Sequence, residues 1–171
     1  MNEQVILVDK DDLPIGQMEK MEAHEKGALH RAFSVFIFNS NHELLLQQRA
    51  INKYHSGGLW TNTCCSHPRV EENNLDAANR RLLEEMGMVC DLRYLFSFTY
   101  RADFEDGLTE HELDHVFFGL SDDLPKINRD EVESYKYIDL TSLKQDIELH
   151  PELYTSWLKI CLNKVISHLK G

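Results

Sequence analysis

The sequence predicts an α/β fold of the α+β kind, a mixed β-sheet sandwiched between helices. Three observations point there. Short apolar or alternating runs bounded by turn residues recur along the chain, and one of them is almost wholly apolar. A capped amphipathic helix separates the earlier strands from the later ones, and helical segments close the chain. With 171 residues, 42% of them hydrophobic and 27% charged, the composition is that of one globular domain over 1–171, large enough for a real core.

Taken in order, Gln4–Val8, a turn over 11–14 and the residues after it predict an opening hairpin. Lys20–Lys26 is a short polar helical segment ending at Gly27. Residues 32–38 are so uniformly apolar that they predict a strand buried on both faces. Asn39-Ser40-Asn41-His42 is a turn, and 44–49 returns as the partner strand. Residues 50–59 read as a loop, and 60–67 as a short strand halted by Pro68. The clearest helix covers 75–86. Asn74 caps it, Leu75, Ala78, Leu82 and Met86 form its apolar stripe, and Gly87 supplies a left-handed C-terminal cap. Residues 94–101 and 111–120 pair around a loop at 102–109, and 134–138 is a last strand. Helices over 141–149 and 152–169 complete the layers.

The formal charge of −11 argues against a nucleic-acid surface, which needs a basic stripe. It leaves room for an anionic small molecule, because a few local cations can dominate a pocket. Met1-Asn2-Glu3-Gln4 opens no basic region followed by an apolar run, so no signal peptide is expected, and no apolar stretch is long enough to span a bilayer. Cys64, Cys65, Cys90 and Cys161 have neither a CxxC spacing nor the density of a disulfide scaffold. Reduced thiols and a cytoplasmic location follow as expectations.

Two pairs of residues carry the chemistry. Cys65 and His67 stand two apart, as do Glu110 and Glu112, so in extended strands each pair shares a face. Cys64 then faces with Ser66. If both segments line one cavity, it holds a thiol, an imidazole and two carboxylates, which makes an enzyme the leading reading. Taken singly, other residues read blandly. A lone histidine is usually a surface or satisfied core group. Arg81, Glu84 and Glu85 share the helix face opposite the apolar stripe, and alone they describe a solvated, charge-paired surface. Trp157, four residues after Leu153 and three before Ile160, reads as core packing.

Arg80-Arg81-Leu82-Leu83-Glu84-Glu85-Met86-Gly87-Met88, with Glu72 eight residues before Arg80, resembles the Nudix box, whose core reads Arg-Glu-apolar-x-Glu-Glu-x-Gly-apolar. That resemblance implies a Nudix fold. In this family the box glutamates gather divalent metal around a diphosphate and support attack by water. Two positions depart from the pattern: Ser66 replaces its opening glycine, and Arg81 replaces its second-position glutamate. A cation there removes a metal ligand and adds a diphosphate-binding group, so hydrolysis is expected to be lost.

The wider set resembles type I isopentenyl diphosphate isomerase, over nearly the whole chain. It comprises Glu19-Lys20, His24, His30, Gln48-Arg49-Ala50, Lys53, Trp60-Thr61-Asn62-Thr63-Cys64-Cys65-Ser66-His67-Pro68, Tyr100-Arg101-Ala102 and Glu110-His111-Glu112. The resemblance implies interconversion of isopentenyl and dimethylallyl diphosphate, in isoprenoid biosynthesis. It implies that His24, His30, His67, Glu110 and Glu112 hold one divalent metal, Zn²⁺ or Mn²⁺ given the preference of imidazole for borderline ions. Glu85 and the backbone carbonyl of Cys65 are implied to hold Mg²⁺ on the diphosphate, beside Lys20, Arg49, Lys53 and Arg81. Cys65, Glu112 and Tyr100 become the catalytic groups, and Trp157 covers the hydrocarbon. His42, His55, His111, His115, His150 and His168 take no role, and Asp114, in step with Glu112, has no assigned task. A Nudix diphosphate hydrolase and a non-catalytic binding module are the alternatives.

Overall fold

A computed structural model describes residues 3–53, 56–104 and 106–170. His55 lies outside the described residues, as do single positions in the loops expected at 50–59 and 102–109. The expected mixed sheet between helices is present. Its spine is β3 (His30–Phe38), where every residue but Arg31 is buried. β3 runs parallel to β8 (Thr109–Leu120), from His30↔Glu112 to Phe38↔Leu120. Along its other edge Ser34 pairs with Cys65 of β6 (Cys64–Ser66), antiparallel. β7 (Arg93–Asp103) pairs antiparallel with β8, and both outrun the predicted strands, shortening the loop between them.

The opening hairpin forms from β1 (Gln4–Val8) and β2 (Pro14–Glu19), and α1 (Lys20–Lys26) follows with Gly27 as its left-handed cap. β4 (Glu43–Arg49) departs from expectation. It meets β3 only at Phe38↔Leu44, then diverges to pair with β9 (Val132–Asp139) and β5 (Trp60–Thr61). The turn itself is sound, with Asn39 accepting from the backbone of Asn41 and Glu43. Long-range pairing then overrides it.

The single strand expected over 60–67 is broken at Asn62 and Thr63, because their side chains replace the ladder. Asn62 Nδ2 donates to Val35 O at 3.0 Å and Cys64 O at 2.9 Å. Thr63 Oγ1 donates to Leu45 O at 2.6 Å and accepts from Ile37 N at 2.9 Å. The chain thereby crosses from β4 to β3, and His67 lies beyond the strand end.

Alternation along β3 divides the core. Phe33, Val35 and Ile37 pack with Cys64 and Leu45 under α2 (Asn74–Met86). Phe36, with Leu44, Phe98 and Val116, packs under α3 (Leu140–Leu149) and α4 (Ser156–Lys170). The α2 cap is Asn73, whose side chain accepts from Asp76 N, not Asn74. Leu75 is 42% exposed, and Ala77 takes its place in the buried stripe. The last helix starts later than expected, since Pro151–Leu153 forms a separate 3-10 turn. Leu153 and Ile160 are exposed, so Trp157 is buried instead with Leu158, Cys161, Leu162 and Val165. No described helix is long and apolar enough to cross a membrane.

Gly87 closes α2 at φ 62°, and a Cβ there would meet Lys126 O at 2.5 Å. Both the left-handed backbone and the close carbonyl require glycine. Gly87→Ala is expected to lower stability by about 2 kcal/mol or more in urea unfolding.

Candidate active site

α1 and β3 deliver two fully buried imidazoles. His24 Nδ1 donates to Lys20 O at 2.7 Å, and His30 Nδ1 to Ala28 O at 2.9 Å. A carbonyl only accepts, so each ring holds a proton on Nδ1 and turns Nε2 toward the group. His67 adds a third ring, the centroids lying 4.9 Å (His30–His67) to 5.8 Å (His24–His67) apart. Glu112 Oε2 is 2.7 Å from His67 Nε2 and 3.1 Å from His30 Nε2. One ligand atom from each of His24, His30, His67 and Glu112 falls within 4.8 Å of all the others. A bare imidazole nitrogen facing a carboxylate oxygen is repulsive unless a cation or proton lies between. Carbonyls fix the outer nitrogens of His24 and His30, while His67 Nδ1 is buried without a hydrogen-bond partner among the described residues, and the four residues together fit a divalent metal. Burial drives the His67 pKa down to about 4, keeping that ring neutral as a ligand must be.

Glu110 stands outside this four-atom group and reaches it through Tyr100. The Tyr100 hydroxyl lies 2.8 Å from Glu110 Oε2 and 2.5 Å from Glu112 Oε1. A phenol has one proton to donate, so two such contacts need a second proton. Burial and the Glu112 charge raise the Glu110 carboxyl well above the usual range. Burial pushes Glu112 upward too, but His67 and His30 outweigh it and hold Glu112 well below. The second proton therefore sits on Glu110, and Glu110–Tyr100–Glu112 forms a path along which a proton can pass.

On the other side of β3, Trp157 Nε1 donates to Cys65 Sγ at 3.1 Å. The Arg49 guanidinium lies 5.2 Å from the same indole centroid. Burial pushes the Cys65 thiol far up, against the pull of Arg49, so it rests protonated. Cys64 points to the opposite face and is fully buried. Asp114 accepts from Ser34 Oγ at 2.7 Å, while its buried Oδ1 has no hydrogen-bond partner among the described residues.

The third part of the pocket is cationic, with Lys20, Arg49, Lys53 and Arg81 along its wall. Arg81 holds Glu85 Oε2 through Nε at 3.0 Å and Nη2 at 2.7 Å, while Gln47 Nε2 donates to Oε1 at 3.1 Å. Taken alone these residues describe a solvated face, whereas Arg81 and Glu85 line the pocket. Glu85 is only 4% exposed, because α2 leans on β6 and turns residues 81 and 85 into the pocket. Arg81 takes both lone pairs of Oε2, so the carboxylate would offer a hard cation such as Mg²⁺ its other oxygen, Oε1. Glu84 does remain outside, bound to Arg80, which also grips Glu72 at 2.8 and 2.9 Å.

Every predicted site residue except His24 and His30 lines this pocket, and those two stand behind His67 in the histidine group. The sequence reading left Asp114 without a task and missed Ser34, Gln47 and Glu131 altogether. Asp114 had a signal, its strand parity with Glu112. Gln47 and Glu131 had none, since their partners lie 38 and 78 residues away.

Residues 28–158 match the NUDIX domain family model. The MutT protein of Methanosarcina mazei superposes with a TM-score of 0.69 at 16% identity, over 84% of this chain and 96% of its own. The MutT NUDIX hydrolase of Burkholderia pseudomallei gives 0.64 at 20%, over 80% and 98%. At such identities the likeness concerns the fold alone. Isopentenyl-diphosphate Delta-isomerase 2 of Aromatoleum aromaticum is 57% identical over 98% of this chain and 88% of its own. The isopentenyl-diphosphate Delta-isomerase of Pectobacterium atrosepticum is 55% identical over 95% and 90%. The chain belongs to the isopentenyl-diphosphate Delta-isomerase family of Nudix proteins.

Two outcomes are expected from this geometry. Replacing His67 with Asn should weaken Zn²⁺ or Mn²⁺ binding at least about tenfold in a chelator competition, with the fold retained. The Arg80 guanidinium holds the Glu72 carboxyl below its usual range. That lowered value means Glu72 stabilises the fold above its unfolded pKa and loses the effect as pH falls through the folded one. Glu72→Gln should therefore cost about 1–2 kcal/mol at pH 7, and the difference should vanish in acid unfolding curves.

Proposed function

We propose that the protein interconverts isopentenyl diphosphate and dimethylallyl diphosphate. The observation that carries this is one pocket bounded by a thiol, a carboxylate–phenol pair and an indole, continuous with a cation-lined mouth. Moving the double bond requires a proton added at one carbon and another removed elsewhere, through a tertiary carbocation.

In this reading Arg49, Lys53 and Arg81, with Lys20 at the rim, grip the diphosphate, and Glu85 with the Cys65 carbonyl holds Mg²⁺ there. Binding energy spent on that end orients the hydrocarbon between Cys65 and Glu112. Glu112, supplied through Tyr100, donates the proton in the direction of dimethylallyl diphosphate, and Cys65 removes the other. The forward turnover thus starts from a protonated Glu112 and a thiolate, and ends as thiol and carboxylate. Burial of Cys65 and the imidazoles beside Glu112 favour that final state, and it is the starting state for the reverse reaction. Glu112 and Cys65 must exchange their proton between successive forward turnovers. The Trp157 ring face stabilises the cation by about 2 kcal/mol or more once water is excluded. His24, His30, His67 and Glu112 would hold the second divalent ion, Zn²⁺ or Mn²⁺, while Glu110, expected as a fifth ligand, stands outside that group and is joined to it through Tyr100. When bound, the ion supplies positive charge that fixes the Glu112 carboxylate.

In this reading the chain acts in isoprenoid biosynthesis as a cytoplasmic enzyme on a small diphosphate, with neither nucleic acid nor membrane as partner. Diphosphate hydrolysis is disfavoured by Arg81, whose guanidinium is engaged with the one buried box carboxylate.

Incubation with isopentenyl diphosphate and Mg²⁺ in D₂O should yield deuterated dimethylallyl diphosphate by NMR, with no phosphate or pyrophosphate. Release of either without the isomer would assign the protein to the hydrolases. Cys65→Ala should abolish turnover while leaving the fold and metal content intact. Near-wild-type activity in that variant would overturn the assigned roles.

A further inference from the structure

Glu131 has no place in the reaction just described, yet its carboxylate occupies the cationic mouth. It is paired with Lys53, and its Oε2 lies 3.3 Å from Arg81 Nη2. Both cations hold it below the usual carboxylate range in spite of burial, so it is ionised. Its backbone is tied on two sides. Ala50 N donates to Glu131 O at 3.1 Å beside Arg49, and Glu131 N donates to Asn128 O at 2.9 Å. Asn128 N in turn donates to Glu85 O at 2.9 Å, anchoring the segment to the end of α2. The side chain is differently placed, 27% exposed and able to turn toward water.

Arg81 therefore faces three carboxylates with one guanidinium, Glu84 being the most distant at 3.6 Å on the helix surface. Glu85 holds it closely at 2.7 Å from inside, and Glu131 more loosely at 3.3 Å from the mouth. Without an anion between them, Lys53 and Arg81 would repel. A diphosphate offers the same two cations more negative charge and more acceptor oxygens than one carboxylate.

We infer that Glu131 is a displaceable counter-ion of the diphosphate subsite, holding Lys53 and Arg81 together in the empty pocket and yielding them to the incoming substrate. The inference rests on the reading of Lys53 and Arg81 as the diphosphate grip. Substrate and product carry the same diphosphate, so a resident competitor weakens both equally. When product leaves, the carboxylate returns to the cations it gave up.

The test is calorimetric titration with inorganic pyrophosphate in the absence of divalent metal. Glu131→Gln, close in shape, should bind pyrophosphate about three- to tenfold more tightly than wild type. Glu131→Ala should shift the same way, and the KM for isopentenyl diphosphate should fall in both. Weaker or unchanged pyrophosphate binding in both variants would overturn the proposal, making Glu131 a fixed positioning group or an idle one. Weaker Mg²⁺ binding in Glu131→Gln would equally overturn it, by making Glu131 a metal ligand. Arg81→Met serves as the separate check on the underlying reading. If it binds pyrophosphate as wild type does, or if wild type binds none, the diphosphate assignment fails and the counter-ion role with it.

Discussion

The register of β3 between β6 and β8 is the constraint on which the rest of the site depends. His30 stands opposite Glu112, and Ser34 stands opposite both Cys65 and Val116. A slip of one residue would turn every side chain of β3 to the other face. His30 would then point under α2, and Ile37 or Val35 would replace polar groups at the pocket floor. The apolar run Phe33, Val35 and Ile37, buried at no measurable exposure, opposes such a slip, because it would turn these side chains away from α2. Packing on one face of the sheet thereby sets chemistry on the other.

The resulting pocket separates charge by type. Its mouth gathers cations on a protein whose formal charge is −11, and its interior holds a thiol, a phenol and carboxyl groups shielded from water. Such an arrangement suits a substrate with a dianionic or trianionic head and an uncharged tail. It also explains the unequal protonation of neighbouring carboxyls. Glu112 finds imidazoles beside it, while Glu110 finds Glu112, and the same burial yields opposite outcomes.

Much of the fold was legible because strand and helix periods are local properties. β1, β3, β8 and α2 announce themselves through alternation, apolar runs and a glycine cap. Pairing is not local, and there the reading failed for β4, whose hairpin turn is real but whose ladder to β3 ends after Phe38↔Leu44. Likewise the spacing argument for Cys65 and His67 assumed a continuous strand, whereas His67 lies just past its end and still enters the pocket. Helical periodicity put Glu85 with the exposed face, since it measures angle around an axis and not what stands beyond it. The Nudix-box and isomerase resemblances carried what spacing could not, notably Arg49, Lys53 and Trp157. Gln47 and Glu131 escaped both, being supports whose partners are distant in sequence.

Trp157 belongs to α4, the last helix of the fold, and its indole N–H touches the sulfur of Cys65, made nearly a hundred positions earlier. The thiol is therefore roofed only when the final helix has docked on the sheet. Without that docking the strand end would stand open to water. A carbocation formed there would be captured by water. Enclosure of this sulfur is therefore a property of the docked helix and not of the strand that carries it, so loosening α4 opens the pocket without touching the strand.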